Sequence, residues 1–317
     1  MRGLIAHAVR SILPERFLKI RYFDISWLSR LDGPGHRVVL FLQGCNLCCP
    51  WCHSPHSQAA ESPILFFASR CLNCGRCEQI CLHGVHEISE TGHVLHRERC
   101  VRCGKCIDAC PVSNRKRMSG ALALPTRDVA VSDLWTLLYP QLDLVRDIGG
   151  LTVSGGEALL QSQALRGLLR LCREHGIHTA LETSGALPRR HFTDVAGLVD
   201  CWLFGLRPTP AYSPVGADRI ADNLRFLGGT GSRVIVRMPV VAGVTDHVES
   251  LERVAATMHA SGAHEIQLLP FHGGTPHYYD ALGSSCSIGD TSIPDAKHLG
   301  EIRDFFQRGG LHASVLQ

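Results

Sequence analysis

The sequence carries the spacing C-x2-C-x2-C-x3-C twice. Cys71, Cys74, Cys77 and Cys81 stand in CLNCGRCEQIC, and Cys100, Cys103, Cys106 and Cys110 in CVRCGKCIDACP. Thiols packed this densely leave too little intervening chain for an apolar core, so what they bind has to hold the segment together. The chain has 15 cysteines, an odd number, and most fall into tight clusters. That argues against a disulfide framework and for metal. Structural zinc is the plain alternative. Zinc accepts C-x2-C pairs, but it closes a site with four ligands, usually as two separated pairs.

Two identical quartets, the second followed by Pro111, favour iron–sulfur. In the bacterial ferredoxin run, three cysteines hold one [4Fe–4S] cluster and the fourth reaches across to the other. The spacing therefore predicts one cluster on Cys71, Cys74, Cys77 and Cys110, and a second on Cys100, Cys103, Cys106 and Cys81. Gly75 and Gly104 permit the tight path between ligands. Residues 61–114 read as a small ferredoxin-like insert.

A third cluster of thiols lies in GCNLCCPWCH, residues 44–53. Cys45, Cys49 and Cys52 are spaced C-x3-C-x2-C, enough to hold three irons of a cubane and leave the fourth open. An open position is what a metal needs if it must also bind substrate. Cys48, the C-x2-C partner of Cys45, stands as the alternative ligand. Cys172 and Cys201 read as buried core thiols. The sequence assigns Cys286 no role.

C-x3-C-x-(aromatic)-C, with Trp51 before the last cysteine, resembles the signature of radical S-adenosylmethionine (SAM) enzymes. The longer LDGPGHRVVLFLQGCNLCCPWCHSP, residues 31–55, resembles that of glycyl radical enzyme activating enzymes, the pyruvate formate-lyase activating enzyme family. Some of its members carry a two-cluster ferredoxin insert at this place. FLQGCNL and LPFH are similar to the YjjW-type subgroup. The resemblance covers roughly residues 31–275. It implies three [4Fe–4S] clusters and SAM as cofactors. It also implies reductive cleavage of SAM to a 5′-deoxyadenosyl radical, and hydrogen abstraction from a glycine of a partner glycyl radical enzyme. A reduced ferredoxin or flavodoxin would supply the electron, in an anaerobic cytoplasm.

After the insert, helical and extended segments alternate. Strands are expected at 151–157, 178–185, 200–206, 233–241 and 265–271, and helices at 131–145, 158–175, 217–227, 247–260 and 296–307. Leu159, Leu160, Leu165, Leu168 and Leu169 are expected largely on one side of their helix, and Pro140 is expected to break or kink its own. Repeated strand–helix units imply parallel strands with right-handed crossovers. The fold class is α/β, a partial (β/α)6-type radical SAM barrel with the ferredoxin-like module inserted. Residues 1–60 would form an N-terminal arm and the first part of the core, and 115–317 the remainder. Barrels of this kind place their chemistry at the C-terminal ends of strands.

The resemblance implies SAM contacts at such strand ends. Gly155 and Gly156 let backbone approach a ligand, and Glu157 would accept from the SAM amino group. Glu182 and His272 end later strands, and Trp51 and His53 flank Cys52. No catalytic residue beyond this SAM–cluster site is expected. One departure stands out: where the family has Asp-x-Lys, this chain has Gly205-Leu206-Arg207. Arg keeps the charge but presents a planar fork, and Arg207 is expected to meet the SAM carboxylate.

Other classes are weaker. The net charge of +3 and the isolated RKR run at 115–117, read as a solvated link, do not point to nucleic acid. No apolar run reaches membrane-spanning length, and residues 1–17 read as an amphipathic arm rather than a secretory signal. The GGTGS at 228–232 precedes a strand, the wrong order for a phosphate loop. Two competing functions stand beside the leading one. One is a radical SAM enzyme with another small-molecule or protein substrate. The other is an electron-transfer protein whose barrel has lost its chemistry.

Overall fold

The computed structural model describes residues 17–114, 119–207, 216–274, 276–289 and 292–316. The arm expected at 1–17, but for its last residue, and the RKR run lie outside the described residues. In chain order the strands are β1 (Lys19–Ser29), β2 (His36–Leu42), β3 (Leu65–Phe66), β4 (His86–Ser89), β5 (Gly92–Leu95), β6 (Leu122–Ala123), β7 (Arg127–Ala130), β8 (Gly149–Gly155), β9 (His178–Thr183), β10 (Cys201–Gly205), β11 (Arg233–Val240), β12 (Glu265–Pro270) and β13 (His312–Val315).

Nine of these form one sheet in the order β13-β12-β11-β10-β9-β8-β2-β1-β7. From β2 to β13 every neighbouring pair is parallel. β1 runs antiparallel to β2, and β7 antiparallel to β1. The sheet is open, with β7 and β13 at its edges, as a partial (β/α) barrel requires. β2 and β13 extend the parallel run at both ends of the segments read after the insert. Strands covered on both faces become continuous apolar runs. Val38, Val39, Leu40 and Leu42 of β2 and Trp202, Leu203 and Phe204 of β10 are all buried.

The crossover helices bury one stripe each. Helix Ser162–Glu174 turns Leu165, Leu168, Leu169 and Cys172 inward, an i, i+3, i+4, i+7 set. Burying each leucine contributes roughly 1.5–3 kcal/mol. Two expectations need correction. Residues Ala158–Gln161 form a separate 3-10 turn, and Leu160 is exposed. Pro140 does not break helix Val131–Val145, because Leu134, Leu138, Leu142 and Val145 hold one face against the core. Pro140 itself is on the exposed side of the helix. The expected core thiols Cys172 and Cys201 are fully buried. Among the described residues no helix is long and apolar enough to cross a membrane.

Between β2 and β7 lies the cysteine-rich segment. Antiparallel pairing of β3 with β6 brings its two ends together. Within it, helices Arg76–Ile80 and Lys105–Ala109 each follow a left-handed glycine, Gly75 (φ 74°) and Gly104 (φ 73°). Each glycine is preceded two residues earlier by a left-handed non-glycine, Asn73 and Arg102. The sequence repeat is thus also a backbone repeat. Its small core consists of Ile64, Cys77, Cys106, Ile107 and Leu122, so the buried centre is partly made of candidate ligands.

Candidate functional site

The loop 44–53 leaves β2 and is pinned by backbone bonds at its start. Gly44 N–H donates to Ser57 O (2.8 Å) and Cys45 N–H to Gln58 O (3.0 Å). Farther along, Asn46 Nδ2 donates to Ala186 O (2.7 Å) and Tyr279 Oη to Pro50 O (3.2 Å). The loop opens on a cleft of about 260 Å³ at the C-terminal ends of the parallel strands. Cys45, Cys49 and Cys52 all border this cleft. Cys48 is exposed and does not. Burial pushes the Cys45 thiol up to about 12 and raises Cys52 too. Thiolates in this setting need a cation to hold them charged.

The opposite wall comes from successive strand ends. Gly156 N–H donates to Leu42 O, and Glu157 N–H to Gly44 O, both at 2.8 Å. This tight splice needs glycine. A Cβ on Gly155 would stand 2.2 Å from Leu42 N, and one on Gly156 would stand 2.1 Å from Gly44 O. Glu157 itself points away from the cleft. Its oxygens accept from Leu159 N–H (3.3 Å), Thr183 Oγ1 (2.9 Å), Ser184 N–H (2.8 Å) and Ser184 Oγ (2.6 Å). A carboxylate with that many donors is filled, so its side chain ties the ends of β8 and β9 together. The cleft wall here is the backbone of Gly155 and Gly156.

Glu182 faces the cleft, accepts from Ser154 Oγ at 2.6 Å, and lies 3.6 Å from Arg237 Nη1. Arg237 was not singled out from the sequence. It is a buried cation inside β11, it also lies 3.9 Å from Asp32, and it donates to Leu31 O. A single arginine inside the apolar run VIVRMPVV, residues 234–241, is the signal that could have found it. Arg207 borders the same cleft. Burial works to lower its pKa, but the neighbouring Cys49, Cys45, Glu157 and Glu182 outweigh that and raise it. Its Nε is buried and has no hydrogen-bond partner among the described residues. An orphaned cationic donor beside three thiols fits a bound ligand that carries an anionic group. Trp51 is packed beneath the loop with Leu47, Val241 and Phe271. His53 borders the cleft and stacks on His272 at the rim, with centroids 4.8 Å apart.

The cysteine-rich segment holds two further cavities. One is bordered by Cys71, Cys74, Cys77 and Cys110, and the other by Cys81, Cys100, Cys103 and Cys106. Each gathers three cysteines of one copy and the last of the other. In all three loops the first thiol accepts from the amide two residues on: Leu47 to Cys45, Asn73 to Cys71 and Arg102 to Cys100, each at 3.4 Å. Such amide donors favour a charged sulfur. Cys77 and Cys106 are buried, which pushes their thiols up to about 11 and about 12. Four convergent thiols on cavities of this kind fit an iron–sulfur cubane.

The sequence reading also missed a histidine pair beside the first cavity. His86 Nδ1 lies 3.0 Å from His93 Nε2, and His93 Nδ1 lies 3.5 Å from Cys71 Sγ. Burial, then His93, pushes His86 down to about 4, and burial lowers His93. The alternation in VHEISETGHVL around a turn is the signal for this hairpin.

Comparison with known proteins places the chain among iron–sulfur activating enzymes. Residues 70–114 match the family model of the 4Fe-4S dicluster domain. The chain is 30% identical over 313 residues to the indoleacetate decarboxylase activating enzyme of Tractidigestivibacter scatoligenes, covering 94% of this chain and 98% of that one. It is 29% identical to the 4-hydroxyphenylacetate decarboxylase activating enzyme of Clostridioides difficile, covering 95% and 97%. To the pyruvate formate-lyase 2-activating enzyme of Escherichia coli (strain K12) it is also 29% identical, covering 93% and 92%.

Proposed function

Because the chain belongs to the glycyl radical enzyme activating enzymes of the radical SAM family, we propose that its cleft binds SAM against a cluster held by Cys45, Cys49 and Cys52. When bound, that pair supplies the 5′-deoxyadenosyl radical which takes a hydrogen atom from one glycine of a partner glycyl radical enzyme. The observation carrying this reading is the shared cleft: three thiols of one loop, the Gly155–Gly156 backbone and the orphaned Arg207 Nε all border it.

The chain's own groups divide the work. Arg207 offers its guanidinium to the SAM carboxylate, and Glu182 lies nearby for the amino or ribose end. The Gly155–Gly156 backbone admits the methionyl part, with Glu157 fixing its position from behind. His53, stacked on His272 and next to Trp51, borders the adenine. Leu47, Trp51, Val241 and Phe271 line a largely apolar floor that excludes water.

The segment 61–114 would be a ferredoxin-like insert between a first part at 1–60 and the remainder at 115–317. It would carry one cluster on Cys71, Cys74, Cys77 and Cys110 and one on Cys81, Cys100, Cys103 and Cys106, three [4Fe–4S] in all. The two thiol-lined cavities and the dicluster match support that count. A reduced ferredoxin or flavodoxin in the cytoplasm is the proposed donor.

The test is an anaerobic incubation of the reconstituted protein with SAM, reductant and a candidate glycyl radical enzyme. The expected result is 5′-deoxyadenosine together with a glycine-centred radical signal on the partner. 5′-Deoxyadenosine without that signal, across glycyl radical enzymes encoded beside this chain, would point to another substrate. No 5′-deoxyadenosine would leave an electron-transfer protein with an inert barrel.

A further inference from the structure

The two thiol-lined cavities are not equivalent. The two-residue period of the β4–β5 hairpin, with Ile88 opposite His93 and His86 opposite Leu95, puts all four side chains on one face. That face packs on the small core containing Cys77 and Cys106. His93 lies under Phe66 (centroids 4.5 Å apart) and borders the cavity of Cys71, Cys74, Cys77 and Cys110. Its Nδ1 is 3.5 Å from Cys71 Sγ, and its Nε2 is 3.9 Å from Cys77 Sγ and 3.0 Å from His86 Nδ1. His86 is buried and borders the other cavity, and its Nε2 has no partner among the described residues.

With one N–H on each ring, the pair holds two such protons. One occupies the short bond between the rings, so the pair has one left to donate, at one end only. At the His93 end Cys71 Sγ stands 3.5 Å from Nδ1. At the His86 end no acceptor is present among the described residues.

We propose that the His86–His93 pair donates a hydrogen bond from His93 Nδ1 to Cys71 and thereby sets the cluster of Cys71, Cys74, Cys77 and Cys110 at a higher reduction potential than its twin. A hydrogen bond to a ligand sulfur stabilises the reduced, more negative cluster and raises its potential. His93 is then a positioning residue for redox poise, and His86 fixes the tautomer that makes it a donor. The inference rests on the cluster assignment proposed above.

The test is an EPR-monitored redox titration of the full, anaerobically reconstituted chain, with iron, sulfide and zinc counted in every sample. Cys74→Ser identifies the signal belonging to this site. His93→Phe is expected to move that signal's midpoint to more negative potential. The expected size is about tenfold in the oxidised-to-reduced ratio at fixed potential, about 59 mV for a one-electron couple. His93→Gln, which keeps a donor, should recover part of the shift, and His86→Phe should give a smaller shift of the same sign. An unmoved midpoint in His93→Phe with full iron overturns the proposal. So does zinc in the wild-type chain that is lost with either histidine, because Cys77, His86 and His93 would then be metal ligands. If the wild-type chain shows no second and third cluster signals, the cluster assignment fails and the inference falls with it.

Discussion

The guanidinium of Arg207 folds back over Gly205: its Nη1 donates to Gly205 O at 2.9 Å, and a Cβ on Gly205 would stand 3.0 Å from that same nitrogen. Gly205 and Arg207 are therefore coupled in space. A side chain at 205 would occupy the space in which Arg207 lies, and glycine leaves it free. Arg207 then carries its charge into the cleft between the cluster loop and Glu182.

Arg207→Ala should weaken SAM binding. Losing a hydrogen bond to a charged group costs about 1.5–3 kcal/mol, or roughly 10- to 100-fold in Kd. Arg207→Lys should fall between, since it keeps charge without the fork. Gly205→Ala should weaken binding less than Arg207→Ala, because it only displaces the end of a flexible side chain. Anaerobic calorimetric titration with SAM checks the order. Equal affinity for Arg207→Ala would remove the arginine from the site.

Glu157→Ala should act on stability more than on SAM contacts. It strips partners from Thr183, Ser184 and Leu159 at once. Leaving several buried donors unpaired costs at least about 3 kcal/mol. Thermal unfolding of the variant should show a drop of several degrees.

Cys48→Ser should retain the iron of the wild-type protein, and Cys49→Ser should lose that of the SAM-binding cluster. Cys48 is exposed and off the cleft, whereas Cys49 is buried beside it. Iron and sulfide analysis of the two variants decides between them.

Cys74→Ser and Cys103→Ser should slow partner activation while leaving SAM affinity near wild type, since both thiols lie in the insert cavities and not on the SAM cleft. Parallel loss of both properties would make the insert structural.

His56 gives the fold an acid-sensitive point. It is buried between Phe23 and Tyr278, neither ring nitrogen has a partner among the described residues, and burial pushes its pKa from 6.5 to about 4. The unfolded chain therefore takes up a proton that the folded chain refuses. Stability is full above about pH 6.5 and falls as pH drops toward 4, by about 3 kcal/mol at most. His56→Phe keeps the ring packing and should flatten this fall. Comparing the apparent Tm of both proteins from pH 7 to 5 checks it, because acid loss of clusters is common to both.

The cysteine loops and most of the parallel strands were legible because each follows from a short local rule: ligand spacing in one case, buried apolar runs in the other. Local rules failed where tertiary contacts decide. Pro140 stays in its helix because four buried side chains outweigh one missing amide. Glu157 turned away from the cleft because Thr183 and Ser184, far along the chain, supply its donors. Arg237 and the His86–His93 pair stand out only when a whole strand or hairpin pattern is read, since strand pairing gives them their partners.

The most direct test is the EPR spectrum of the reduced, anoxically reconstituted protein before and after adding SAM. If the cluster on Cys45, Cys49 and Cys52 has an open iron that SAM occupies, its resonance shifts while the two insert signals keep theirs. A spectrum unchanged by saturating SAM would contradict the reading of this cleft as a SAM site.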